Sequence, residues 1–136
     1  MRTRLVMVLA GALVVVMSLP LLAHHGSAAF DTGKRVTVKG TVKEWVYVNP
    51  HCLLTLDTKG EDGQAVQWIM ETQPPTSVFP LGYRKDSFKP GDEVTITVEP
   101  VKNGRPIGRI VGAVLANGKI LGDPPAERAV PPAGAR

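Results

Sequence analysis

Between Arg35 and Val48 the chain alternates. Val36, Val38, Val42, Val46 and Val48 fall on one parity, and Arg35, Thr37, Lys39, Thr41 and Lys43 on the other. Successive side chains of a strand point to opposite faces, so this period predicts a half-buried strand with its valines inward. The run is about 13 residues, roughly twice the usual strand of ~5–6. Gly40 interrupts it at an inward position, which suits a sharp bend in a strongly curved strand. Glu44 breaks the inward parity and marks a candidate bulge. Asn49-Pro50 stops the run, because proline has no N–H to give to a ladder.

The rest of the chain fits around such a strand. His51–Thr58 reads as a second strand with Leu54 and Leu56 on one face, and Lys59–Gly63 as a turn with two glycines. Gln64–Glu71 reads as a third strand, with Val66, Trp68 and Met70 inward. Thr72–Pro90 carries Pro74, Pro75, Pro80 and Gly82 and has room for one short helix at most, over Pro75–Leu81. Glu93–Glu99 alternates Val94, Ile96 and Val98 against Thr95 and Thr97, and Pro106–Ala116 gives a fifth strand before a short Lys119–Leu121. Three strands, a short helix or loop, then two strands, opened by a long bent strand, is the layout of the OB-fold, a five-stranded Greek-key barrel. The expected class is therefore all-β, an OB-like barrel over residues 34–121. An open five-stranded sheet or a two-layer sandwich is the alternative.

What precedes and follows that span has a different character. Arg2 and Arg4 are followed by Leu5–Ala23, which carries no charge. A basic start, an apolar run, a break at Ser18-Leu19-Pro20 and a small residue at Ala23 are the parts of an export signal over residues 1–23. An uncleaved membrane anchor is the competing reading, since the apolar stretch is near the ~20 residues needed to span a bilayer. With Arg2 and Arg4 removed, 14 basic residues face 12 acidic ones and the formal net charge falls from +4 to +2. That leaves no bulk positive field for binding nucleic acid. One cysteine excludes an internal disulfide framework. Residues 24–33 read as an irregular lead-in with one apolar anchor, Phe30. Residues 122–136, with Pro124, Pro125, Pro131 and Pro132, read as a disordered tail. The expected location is the periplasm or the exterior, with no membrane anchor after cleavage.

Cleavage after Ala23 would leave His24 as the first residue. Its α-amine and imidazole can chelate one metal ion, and a second imidazole completes a T-shaped nitrogen set of the kind copper favours. Cleavage one residue earlier puts histidine third, which also suits Cu(II) or Ni(II). His24, His25 and His51 are all the histidines of the chain. A hairpin centred on the Lys59–Gly63 turn would set Glu71 opposite His51. A carboxylate there can fix an imidazole tautomer or form a plain surface charge pair. The candidate metal set is thus His24, His25, His51 and Glu71. Against it, the two N-terminal histidines can equally begin a solvated arm.

Cys52 shares the parity of Leu54 and Leu56 and reads as a small buried hydrophobe rather than a nucleophile. Trp45 and Tyr47 fall on the polar parity of the first strand. With Asn49 they form a candidate ligand-binding surface, since exposed aromatics on an OB barrel stack on ligands; cover by the tail or by Thr72–Pro90 is the other reading. The sequence shows no glycine-rich phosphate loop, no CxxC pair, no Ser/His/Asp arrangement in a recognisable context and no paired-carboxylate site.

Several stretches together resemble a known family. They are Ala23-His24-His25-Gly26-Ser27, Val38-Lys39-Gly40-Thr41-Val42, Trp45-Val46-Tyr47-Val48-Asn49-Pro50-His51, Trp68-Ile69-Met70-Glu71 and Phe88-Lys89-Pro90-Gly91-Asp92. This pattern resembles that of small exported bacterial proteins carrying an uncharacterised domain: His-His-Ser, Gly-x-Val, Asn-Pro-His, Trp-x-x-Glu and Lys-Pro-Gly-Asp. Gly26 here separates His25 from Ser27, a departure by one residue. The resemblance implies export and a compact β domain and brings no activity with it. The functional expectation is an exported, non-catalytic binding protein whose partner is a small ligand or a periplasmic protein. The alternative is a periplasmic protein for copper or another transition metal, held by the mature N-terminal histidine and His51.

Overall fold

The computed structural model describes residues 27–124. The expected export signal, His24, His25 and nearly all of the expected tail lie outside them. Six strands form one sheet: β1 (Val36–Val46), β2 (Leu53–Lys59), β3 (Ala65–Glu71), β4 (Glu93–Pro100), β5 (Ile107–Val114) and β6 (Ile120–Gly122). The hydrogen-bonded order is β3-β2-β1-β4-β5-β6, and a parallel pairing of β3 with β5 joins the two ends into a closed five-stranded barrel. This is the OB-like all-β barrel expected from the strand order, with one short helical segment between β3 and β4. That segment is α1 (Pro75–Val78), which tightens into a 3-10 turn over Phe79–Leu81.

The first strand curves as its composition requires. It pairs with β2 along one edge and with β4 along the other, and Thr41 has Cα partners on both sides, Asp57 and Glu93. Gly40 lies where these edges converge. A Cβ there would stand 2.7 Å from Thr58 Cγ2 and 2.8 Å from the Asp57 carbonyl oxygen. The glycine serves close approach of two backbones, which any side chain would hold apart.

A bulge then reverses the inward parity of β1. Val42 pairs with Leu56 but Glu44 pairs with Thr55, so Lys43 and Glu44 together oppose a single step of β2. The polar pair Lys43-Glu44 is extruded, and everything after it changes face. Trp45 pairs with the fully buried Leu54 and packs on the core, as does Tyr47. Val48, expected inward, is 48% exposed. The expected alternation is thus correct up to Val42 and inverted beyond it, with Glu44 marking the change.

The barrel interior is filled by Val38 and Val42 of β1, Leu54 and Leu56 of β2, Met70 of β3, and Val94, Ile96 and Val98 of β4. The Thr72–Pro90 segment closes one end of the barrel with Val78, Tyr83 and Phe88, all buried. Tyr83 and Phe88 lie in an aromatic cluster with Trp45, whose ring centroid is 4.9 Å from that of Phe88 in an edge-on arrangement. Burial, reinforced by the Asp123 carboxylate, holds the Tyr83 phenol well above its ordinary range. The unfolded tyrosine ionises near pH ~10 and the folded one resists, so this contribution is complete below about pH 10 and is lost above it. Melting temperatures are therefore expected to fall above about pH 10, and Tyr83→Phe should flatten that fall. An equal fall in both proteins would remove Tyr83 as its source.

Candidate functional site

The connection from β1 to β2 runs through Asn49, Pro50 and His51, with a cis bond between Asn49 and Pro50. Asn49 and Pro50 are exposed and His51 is half-buried. The His51 ring is tied down: Nδ1 lies 2.8 Å from the Thr72 carbonyl oxygen. A carbonyl can only accept, so Nδ1 carries the proton and donates. In the neutral ring Nε2 is then left with a free lone pair. Alongside, the Thr72 N–H donates to the Cys52 carbonyl at 2.9 Å, extending the β2–β3 pairing past the strand ends. Cys52 itself is fully buried beside Leu54, a packing residue as its parity indicated.

Glu71 does not face His51. Its partner is Leu53, because Lys59 still pairs with Ala65 and the hairpin loop is Gly60–Gln64, closed by the Gly60 N–H on the Gln64 carbonyl. The pairing is therefore shifted by two residues from one centred on Lys59–Gly63. Both residues keep the outer parity, and His51 bonds the carbonyl of the residue following Glu71.

Around this end the register connects Val46, Leu53, Glu71, Arg109 and Glu99 across β1, β2, β3, β5 and β4. Leu53 and Ile69 leave exposed apolar surface on β2 and β3. Arg109 places Nε and Nη2 on the same carboxylate oxygen, Oε2, of the nearly buried Glu99. Its guanidinium also stands over the Phe30 ring, 5.4 Å from the centroid. Phe30 is 7% exposed and bridges to Val101. The Asp31 N–H donates to the Pro100 carbonyl (2.8 Å), and the Lys102 N–H to the Ala29 carbonyl (2.9 Å). The lead-in is thus fastened to the barrel at Ala29–Asp31, over β4 and β5. Phe30 is the apolar anchor expected in the lead-in; its partners in this clasp, and the Arg109–Glu99 pair, carry no local pattern that the sequence reading used. The signal was present for the pair: Glu99 and Arg109 stand symmetrically about Gly104 of the β4–β5 turn.

Trp45 and Tyr47 do not form an open stacking surface. The Thr72–Pro90 segment covers them: Trp45 Nε1 donates to the Arg84 carbonyl (3.0 Å), and the Tyr47 hydroxyl lies between the carbonyls of Pro75 (3.3 Å) and Tyr83 (3.4 Å). Tyr47 still lines a shallow apolar cleft of about 430 Å³ with Pro75, Thr76, Phe79 and Pro80. The Arg84 guanidinium lies over the Phe79 ring at 3.5 Å.

Among the described residues no three His, Cys, Asp or Glu side chains come together as a metal site. A site at His51 would need donors from residues 24 and 25, outside them. A family described only as being of unknown function, DUF6152, matches residues 11–110 of the chain. No curated protein and no solved structure matches it.

Proposed function

Since the chain belongs to the DUF6152 family, whose function is unknown, its role must be read from its own residues, and we propose an exported, non-catalytic domain that binds a copper-type transition-metal ion with His51 as its fixed donor. The observation that carries this reading is the Nδ1–Thr72 hydrogen bond. Histidines that ligate metals characteristically donate their other ring N–H to a carbonyl or carboxylate, which fixes tautomer and ring orientation. His51 has that arrangement, with Nε2 left to coordinate.

The remaining donors are the α-amine and imidazole of His24, which become available when the leader is cut after Ala23, with His25 close by. Amine, imidazole and a second imidazole make a nitrogen set suited to Cu(II). Glu71 adds a carboxylate on the same outer side of the sheet.

The test begins with the mass of the exported protein, expected to correspond to a chain starting at His24. Titration with Cu(II) should then give one ion per chain at submicromolar affinity. His24→Ala and His51→Ala should each weaken binding at least about tenfold, the loss of roughly 1.4 kcal/mol expected for a missing ligand or its orienting partner. Micromolar binding indifferent to both substitutions would sink the reading.

A further inference from the structure

Two turns of the barrel carry an asparagine followed by glycine: Asn103-Gly104 between β4 and β5, and Asn117-Gly118 between β5 and β6. All four residues are exposed, and both glycines have a positive φ, 78° at Gly104 and 82° at Gly118. In each turn the asparagine side chain folds back on its own backbone. Asn103 Oδ1 accepts the Arg105 N–H at 3.1 Å, and Asn117 Oδ1 accepts the Lys119 N–H at 3.0 Å. An Asx turn of this kind closes a ring that contains both Cγ of the asparagine and the nitrogen of the glycine. Those two atoms are thus kept within reach of each other, and their approach costs little further entropy. The N–H on Oδ1 also stands where negative charge would develop if that carbonyl were attacked.

The two turns differ at the attacking atom. The Gly118 N–H donates to the Leu115 carbonyl at 2.9 Å, whereas the Gly104 N–H lies 3.4 Å from the Val101 carbonyl. The longer distance is beyond an ordinary N–H···O bond. A backbone nitrogen must lose its proton to solvent base before it attacks, and an N–H in a full hydrogen bond must first be released from it. We propose that Asn103 is a site of spontaneous covalent modification, converted through a cyclic imide ahead of Asn117. Base takes the Gly104 amide proton, and the nitrogen electron pair forms a bond to Asn103 Cγ. The Cγ–Nδ2 bond then breaks, and Nδ2 takes a proton from water and leaves as ammonia. Water adds to one of the two imide carbonyls and breaks its bond to the Gly104 nitrogen. Opening at Cγ leaves aspartate; opening at the main-chain carbonyl leaves an isoaspartyl linkage. Water is the only co-reactant, and nothing is oxidised or reduced. Either product places a new carboxylate between Lys102 and Arg105. The isoaspartyl form also lengthens the main chain by one carbon directly after Lys102, whose N–H holds the Ala29 carbonyl of the lead-in. None of this depends on metal binding.

Incubation of the folded protein at mildly alkaline pH, followed by tryptic peptide mapping, tests the assignment. Cleavage after Lys102, Arg109 and Lys119 puts the two asparagines on separate peptides, since Arg105 is followed by proline. Asn103 is expected to convert about fivefold faster than Asn117, the weight of one net hydrogen bond at the Gly118 N–H. In concentrated urea neither turn persists, and the two rates should become equal because glycine follows both asparagines. Asn103→Gln, whose longer side chain must close a larger and slower-forming ring, should silence its own peptide and leave the Asn117 rate unchanged. Equal rates in the folded protein, or a faster Asn117, overturn the assignment. So does an Asn103 that stays intact in the folded protein while the chain in urea converts.

Discussion

Gly40→Val is expected to destabilise the domain by about 3 kcal/mol, the upper part of the range for overpacking a filled site. The reason is space. The nearest atoms to a new Cβ are the Thr58 methyl at 2.7 Å and the Asp57 carbonyl oxygen at 2.8 Å. The methyl can turn aside only if the Thr58 hydroxyl gives up its hydrogen bond to the Val66 carbonyl. The carbonyl is part of the β2 backbone, immediately beside the point where Thr41 is paired on both edges. Making room means prising β2 from β1 where the curvature of the barrel is set. Gly40→Ala should already cost stability, and valine more, with both read as shifts in the urea unfolding midpoint at constant slope. A midpoint unmoved by valine would mean that β1 and β2 are farther apart than these distances.

The second large effect is expected at Trp45. Trp45→Ala should cost about 3 kcal/mol, the low end for a large aromatic because the side chain is only half-buried. It removes the ring that touches Phe88, Tyr83 and Tyr47, and it leaves the Arg84 carbonyl without its indole donor. Trp45→Phe keeps much of the packing and should lose mainly that hydrogen bond, about 1 kcal/mol. The pair of variants separates a structural role from a recognition role. Copper affinity, measured well below the melting temperature, should be unchanged in both. A substantial loss of affinity in a fully folded Trp45→Phe protein would return Trp45 to the binding surface.

Trp45 also shows how far the sequence could be read. Alternation of valine with charge fixes the face of each residue only while the strand is regular. Glu44 announced an irregularity, but one extra residue moves every later side chain to the opposite face, and composition does not say whether the extra residue is absorbed or extruded. Tryptophan and tyrosine tolerate either face, so Trp45 and Tyr47 gave no warning, while Val46 and Val48 misled. The His51–Glu71 geometry failed for a related reason. Lys59 suits a turn as well as a strand end, and its placement in the strand shifted the hairpin by two residues. The order of strands, the inward sets of β2, β3 and β4 and the Pro75–Leu81 helical segment were legible because each rests on a short, unbroken period or on proline. The parallel β3–β5 closure follows from the barrel layout as a whole, since no local pattern in Ile69–Glu71 or Ile107–Arg109 names its partner. The Phe30 clasp lies further still from local signals, because it joins a loop to residues about 70–80 positions away.

β1 belongs to two antiparallel meanders at once, β1-β2-β3 on one edge and β1-β4-β5 on the other. Neither meander can bury its inner face without the other, and neither can keep β1 if the two separate. The barrel therefore has no natural line of division into a half that persists and a half that opens. Loss of either meander exposes Val38, Val42 and the facing core residues together, so partial opening carries nearly the full cost of unfolding. That is the condition for a single cooperative transition, in which the backbone amides at the centre of β1 exchange with solvent only when the whole barrel comes apart.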